Sequence, residues 1–296
     1  MNRLLSFLAG FMQITIVASA CGGNETASLP PTSNNPAVTT PASTSTPPAT
    51  TPTPDTILKL VNSASAGMNT FEGAMQTTMS MNLMGMDMKI NMTGTMSVDK
   101  PGKKLFTGIT GSTVGLGQTV SMNEQMYLIN DTMYLKGDIQ DSGLDPNTWY
   151  KEVLPAADLS TMWTSQDVGS QIQILLDSAT LQIVGTEDVN GISCYKLKIN
   201  PNMDKFMAYL DASQSNLADI GLTNAAQVFK QLDLTLWVNK ANYLPAKMDM
   251  AMSLAMDSQG QSMNITMTLS QTFNKVNQPV TITLPAAAQG AIALPT

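Results

Sequence analysis

From residue 75 the chain alternates. Met75, Thr77, Met79, Met81 and Leu83 fall on one side of an extended backbone, and Gln76, Thr78, Ser80 and Asn82 fall on the other. A period of two is the mark of a strand with one buried face. A turn near Met84-Gly85 resets the phase. Met88, Ile90, Met92, Met96 and Val98 then oppose Asp87, Lys89, Asn91, Thr93, Thr95, Ser97 and Asp99. The last third repeats the pattern. Leu232, Leu234, Leu236 and Val238 oppose Gln231, Asp233, Thr235 and Asn239. Met248, Met250, Met252, Leu254 and Met256 oppose Lys247, Asp249, Ser253 and Asp257. After a turn at 258–261, Met263, Ile265, Met267 and Leu269 oppose Asn264, Thr266, Thr268 and Ser270. Shorter strands are predicted at 104–110, 119–123, 125–129, 132–136 and 149–153. The breaks at Pro101-Gly102, Asn123-Glu124 and Asn130-Asp131 give the spacing of an antiparallel meander. A hairpin, 181–187 with 192–199, closes around Val189-Asn190-Gly191, where Asn-Gly favours a tight turn.

Helical spacing is confined to short stretches. Asp55-Thr56 is a predicted N-cap for a helix covering Ile57, Leu58, Leu60 and Val61, with Gly67 and Gly73 bracketing its end. Further helices are predicted at 158–163, 167–177, 201–210 (opened by Pro201) and 224–230. The fold class is therefore α+β: a long curved antiparallel sheet, a half-barrel, polar outside, with a few helices on its concave face. A sheet curling around an incompletely covered apolar face makes a cavity. Helices and sheet closing into a dry core are equally compatible with the pattern. If a cavity exists, its candidate lining is Met79, Met81, Met88, Ile90, Met92, Leu234, Leu236, Met248, Met250, Met252, Ile265 and Met267.

The first twenty residues differ from this domain. Arg3 precedes an apolar stretch, 4–17, that is too short to span a bilayer but suits the h-region of a signal peptide. Ala18-Ser19-Ala20-Cys21-Gly22-Gly23 follows and resembles the lipobox of bacterial lipoproteins, with Ala18 where that motif more often has Leu. This resemblance implies cleavage before Cys21 and acylation of its thiol. Two or three acyl chains would hold the protein stably to a membrane. The competing reading is an Ala-x-Ala secretory site cut at the same bond, with Cys21 free to pair with Cys194, the second of two cysteines. The expected location is exported, lipid-anchored at the outer face of the cell membrane or at the outer membrane. Gly22 lacks the acidic residue that often retains lipoproteins at the inner one.

Residues 21–54 then form a tether of Pro, Thr, Ser and Ala. It has too few large apolar side chains to offset the entropy of ordering, so extended, polyproline-like chain is expected. At about 3 Å per residue it reaches up to roughly 100 Å. The domain proper is predicted over 55–296.

Composition excludes more chemistry than it suggests. There is no histidine, and Arg3 is the only arginine, so a processed chain would have neither. No Ser-His-Asp or Cys-His arrangement can be built, nor a histidine-ligated zinc or haem site. No guanidinium is available for bidentate phosphate recognition. Lysines are outnumbered by 22 acidic residues, which argues against nucleic acid as a partner. No cofactor, metal or catalytic constellation is expected.

The 23 methionines have three possible uses. Thioethers suit copper(I), and Met84-Gly85-Met86 is the cluster best exposed for it, although burial of the others and the lack of histidine count against this use. Methionine also adapts to varied apolar guests, or simply fills a core. Cys194 has no base beside it and so no nucleophilic role. Trp149, Trp163 and Trp237 read as packing or rim residues.

Several segments together resemble the LolA/LppX-LprG-like lipid-carrier superfamily. They are the helix before the first long strand, the ending Met96-Ser97-Val98-Asp99-Lys100-Pro101, the hairpin from Thr186 to Leu197, and Leu236-Trp237-Val238-Asn239-Lys240-Ala241-Asn242-Tyr243-Leu244-Pro245-Ala246-Lys247-Met248. The last has the look of that family's strand–turn–strand, which turns at a Leu-Pro. The resemblance covers about residues 55–285. It implies non-catalytic binding of a lipid or other apolar small molecule in a half-barrel cavity, with the membrane engaged through N-terminal acyl chains. The alternative is an envelope sensor or scaffold that binds another envelope protein. If Cys21 is the acylation site, Cys21→Ser will move the protein from the membrane fraction to the soluble one and abolish incorporation of labelled palmitate.

Overall fold

A computed structural model describes residues 52–83, 86–115, 117–138, 143–165, 172, 176, 179–203, 229–258 and 261–295. Helix α1 spans Pro54–Ala66 and buries Ile57, Val61 and Ser65, a stripe at i, i+4 and i+8. Its N-cap is Thr53, not the predicted Asp55-Thr56. The Thr56 amide donates to Thr53 Oγ1 at 3.3 Å, and Pro54 takes the first helical position, where its missing N–H costs nothing. Asp55 lies in the first turn, at the positive end of the helix dipole.

Twelve strands follow in one sheet. They are β1 (Thr70–Leu83), β2 (Met86–Asp99), β3 (Lys104–Gly115), β4 (Gln118–Ile129), β5 (Thr132–Gly137), β6 (Tyr150–Val153), β7 (Thr180–Val189), β8 (Ile192–Asn200), β9 (Phe229–Asn239), β10 (Pro245–Ser258), β11 (Gln261–Asn274) and β12 (Ile292–Ala293). Helix α2 (Ala156–Ser165) lies between β6 and β7, and a short 3-10 turn (Ala286–Gly290) precedes β12. The sheet is curved and open, with the order β12-β6-β5-β4-β3-β2-β1-β11-β10-β9-β8-β7. All neighbours are antiparallel except β12 and β6. Two meanders thus run outward from a seam where β1 pairs β11, from Glu72 opposite Asn274 to Leu83 opposite Met263. Lys275 Nζ reaches Glu72 Oε1 at 2.8 Å, and the Asn69 amide donates to Asn277 Oδ1 at 2.9 Å, fastening one end of that seam.

The alternating pattern predicts the long strands, and the structure corrects its details. Asn123-Glu124 is no break: β4 runs through it, because β3 offers a partner of equal length along its whole course. Phe229 and Lys230 open β9 instead of closing a helix, while the rest of that predicted helix, 224–228, lies outside the described residues. Of the predicted helix 167–177, Ile172 and Leu176 are described, and both are helical and buried. Of 201–210, Met203 alone is described as helical. The β7–β8 turn has Asn190 at φ 51° and Gly191 at φ 79°, the left-handed pair that an Asn-Gly hairpin demands.

One core packs Ile57, Val61, Ile172 and Leu176 against Phe71, Val98, Leu105, Leu128, Leu197, Ile199, Leu234, Leu236 and Phe273 on the inner face of the sheet. The outer face is not uniformly solvated as its polar residues predict. Phe106, Tyr127 and Trp149 form an aromatic row, with ring centroids 4.7 and 5.8 Å apart, and Ala288, Ala291 and Leu284 of the C-terminal segment pack on it.

On the inner face four methionines lie opposite glycines, Met96 by Gly73, Met75 by Gly94, Met92 by Gly111 and Met88 by Gly115, and the last three cover their partner. Each of those three long side chains folds over its neighbour's bare backbone. A Cβ on Gly94 would press on the far end of Met75, Cε at 3.0 Å, and meet the Gly108 carbonyl oxygen only at ordinary contact, 3.5 Å. On Gly111 it would meet the Asn91 carbonyl oxygen at 2.7 Å and Met92 Cγ at 2.8 Å. Gly111→Ala should therefore cost about 1–3 kcal/mol by overpacking, and Gly94→Ala clearly less. Urea unfolding of the two variants will give that order.

Candidate functional site

All twelve candidate lining residues fall on one face. Met252 pairs with Met267, Met267 with Met79 and Met79 with Ile90, so one rung crosses four strands. A second rung runs Leu234, Met250, Leu269, Thr77, Met92. A third runs Leu254, Ile265, Met81, Met88. A fourth runs Leu236, Met248, Gln271, Met75, Gly94, Ile109, Glu124.

Their surroundings differ. Leu234 and Leu236 belong to the closed core under α1, and Met248 and Met250 pack against it. Met79, Met81, Met92, Met252, Ile265 and Met267 are also buried, whereas Met88 and Ile90 are half-buried. The face bends around a small recess of ≈ 20 Å³ lined by Gly73, Met75, Gly94, Met96, Thr107, Ile109 and Gln271. That is room for about one water, against the 300–1,000 Å³ of an ordinary ligand pocket.

The fourth rung and its neighbours hold what the sequence pattern did not single out. Gln271 continues the inward phase of β11 one alternation beyond Leu269, where the apolar run ends, and is 5% exposed. Thr107 is 7% exposed and Thr77 is 4% exposed, and neither hydroxyl has a hydrogen-bond partner. The available signal was polar or small residues in phase with methionines. Glu124 is the inward carboxylate of the fourth rung. Burial, and then the charge of Asp138, push its pKa above the usual carboxylate value.

Among the paired positions of the described strands, none on the inner face holds a lysine. Lys89, Lys104, Lys136, Lys151, Lys196, Lys198 and Lys247 all take the opposite phase. On that outer face Trp237 lies between Lys196 and Lys247, whose ammonium nitrogens are 5.0 and 4.5 Å from its ring centroid. Cys194 is a free, fully buried thiol packed with Val189, Trp237 and Ala246, and it donates to the Ile192 carbonyl at 3.3 Å. Burial pushes its pKa up, away from the thiolate a nucleophile needs. Among the described residues no group of three or more acidic, Cys or His side chains is placed to hold a metal ion, and no helix is long and apolar enough to cross a membrane. Cys21 and Met84-Gly85 lie outside the described residues; Met86 is exposed.

With the sheet and its apolar inner face described, comparison with other proteins decides the family: a family model matches residues 53–291. The chain belongs to DUF6612, a family of unknown function. No curated protein sequence matches it. Solved structures similar to this DUF6612 protein include LprF from Mycobacterium bovis, at 16% identity and a TM-score of 0.40, covering 78% of this chain and 95% of that one. Lipoprotein LppX from Mycobacterium tuberculosis is similar at 18% identity and a TM-score of 0.38, covering 77% and 96%. A LolA superfamily protein from Nitrosomonas europaea gives 11% identity and a TM-score of 0.23, covering 79% and 96%.

The inward carboxylate makes a pH-dependent prediction. A group whose folded pKa is raised destabilises the fold while ionised, and that cost disappears as pH falls through the folded pKa. Glu124→Gln should therefore raise Tm at neutral pH. The gain over the parent should shrink as the buffer is taken down towards the ordinary carboxylate value of 4.5. Melting curves across that range will check the sign.

Proposed function

We propose that this protein is an exported lipoprotein, anchored by an acylated Cys21 and a Pro/Thr/Ser tether, that carries a lipid or other apolar molecule on the inner face of its half-barrel without covalent chemistry. The observation that carries this reading is the continuous inner face: rungs mainly of methionine, leucine and isoleucine cross β10, β11, β1 and β2 without a lysine, while the outer face of the same strands is mostly Thr, Ser, Asn and Asp with Lys89 and Lys247. Such a face is larger than a single helix pair needs. Methionine suits it to guests of varied shape, because its side chain is unbranched, flexible and polarisable. The recess is far smaller than a lipid, so loading requires the methionine side chains to swing and the inner face to separate from what packs on it. A cavity-lining role falls to Met79, Met81, Met88, Ile90, Met92, Met252, Ile265 and Met267 in this reading, and Leu234 and Leu236 serve the closed core. The outer-face lysines and carboxylates keep the loaded protein soluble.

Native mass spectrometry with organic extraction of the full chain from a bacterial membrane tests the proposal. The expected result is a bound apolar species of defined mass, reduced severalfold by Ile90→Asn, a change at a half-buried position, with Tm monitored. A clean unliganded mass, with no uptake of an added pyrene-labelled lipid, would sink it. The inner face would then be a core, and an envelope protein would become the partner to seek.

A further inference from the structure

The fourth rung and the one beside it, in which Thr107 pairs with Met96 and Met96 with Gly73, give the inner face a chemical preference. Thr107 lines the recess between β1, β2 and β3. It is more than nine-tenths buried, and its hydroxyl has no partner. Gln271 lines the same recess from β11 and is equally buried. A buried hydroxyl left without a partner costs about 1–3 kcal/mol, and a fold that needed only packing would place valine at 107. Gly73 and Gly94 supply the space, since no side chain stands between Met75 and Met96 on that side.

The charge around the recess restricts what fits it. No lysine of β1, β2, β3 or β11 takes the inward phase, and the nearest ionisable group on the Gln271 rung is Glu124, two strands beyond Gly94 through Ile109. A carboxylate or phosphate brought here would lose its water, find no cation to pair with and face a like charge. An uncharged hydroxyl can instead donate to and accept from Thr107 and the Gln271 amide. We propose that the Thr107–Gln271 recess is a headgroup subsite for the uncharged hydroxyl of an otherwise apolar ligand, of the class of fatty alcohols and acylglycerols, and that it discriminates against fatty acids and phospholipids. The subsite rests on the carrier reading above. Its volume, ≈ 20 Å³, matches one hydroxyl oxygen and leaves the alkyl chain to the methionine rungs.

The test uses the full chain bearing Cys21→Ser, purified without detergent and loaded with a pyrene-labelled alkane. Hexadecanol, hexadecanoate and hexadecyl phosphate then compete for it at about pH 8, where both acids are ionised. Hexadecanol is expected to displace the probe at roughly tenfold lower concentration, the equivalent of one good hydrogen bond plus the avoided desolvation of a charge. Thr107→Val, an isosteric change that removes the orphan hydroxyl and should not unfold the domain, is expected to cut that advantage about threefold, within the net worth of one hydrogen bond. Adding Gln271→Leu should abolish it, while affinity for the alkane itself is kept. Equal displacement by all three competitors, a preference for the acid, or an alcohol preference untouched by Thr107→Val would each overturn the subsite and leave the carrier reading standing. Failure of the alkane to bind at all would overturn both.

Discussion

The pairing of β1 with β11 is the constraint on which the rest depends. It joins residues some two hundred positions apart, and the two meanders become one sheet only through it. Its register decides more than connectivity. A slip of one residue would turn Met263, Ile265, Met267 and Leu269 to the outer face while Met79 and Met81 stayed inside. The inner methionine rungs exist because Thr77, Met79 and Met81 sit directly opposite Leu269, Met267 and Ile265. Closing so long a loop is entropically costly, so this seam should form late, after the local hairpins β1–β2 and β10–β11 exist to dock.

Much of this was legible in the chain. Period two in 75–99 and 231–270 named the long strands and the correct inward residues, because a half-buried antiparallel strand writes its two faces directly into sequence. The Asn190-Gly191 turn was legible for a different reason: only a few residues adopt its backbone. What was lost depends on partners. Asn123-Glu124 looks like a turn until β3 is laid beside it. Thr53 outcompetes Asp55-Thr56 as a cap because Pro54 sets the helix start. The outer aromatic row of Phe106, Tyr127 and Trp149 is invisible without the C-terminal segment that covers it. At the site, Thr107 and Gln271 read as ordinary polar strand residues until the register shows which way they point.

The methionines and glycines form one design, which composition alone does not show. A glycine in a strand weakens it and invites close approach. Here Gly94, Gly111 and Gly115 each face a methionine whose side chain lies across the gap. A branched side chain would fill such a space rigidly, whereas methionine fills it and can leave. The inner face is thus packed without being locked, which a purely structural core does not require.

Charge placement completes the argument. Lys196 pairs with Glu187 at 2.9 Å, Lys247 with Asp249 at 2.8 Å and Lys198 with Asp233 at 3.5 Å, all on the outer face. Pairs this exposed contribute little to stability. Their consequence is positional: these lysines and their carboxylate partners all stand on the outer phase, although inward carboxylates such as Glu124 occur as well. The lowered pKa of Glu187, held by its bond from Lys196, and the raised pKa of Glu124, held by burial, show the same division in energetic terms. The outer face stabilises charge and the inner face resists it. An inward carboxylate such as Glu124 bears the cost of its own burial, whereas the paired lysines are kept to the phase where water and partners stabilise them.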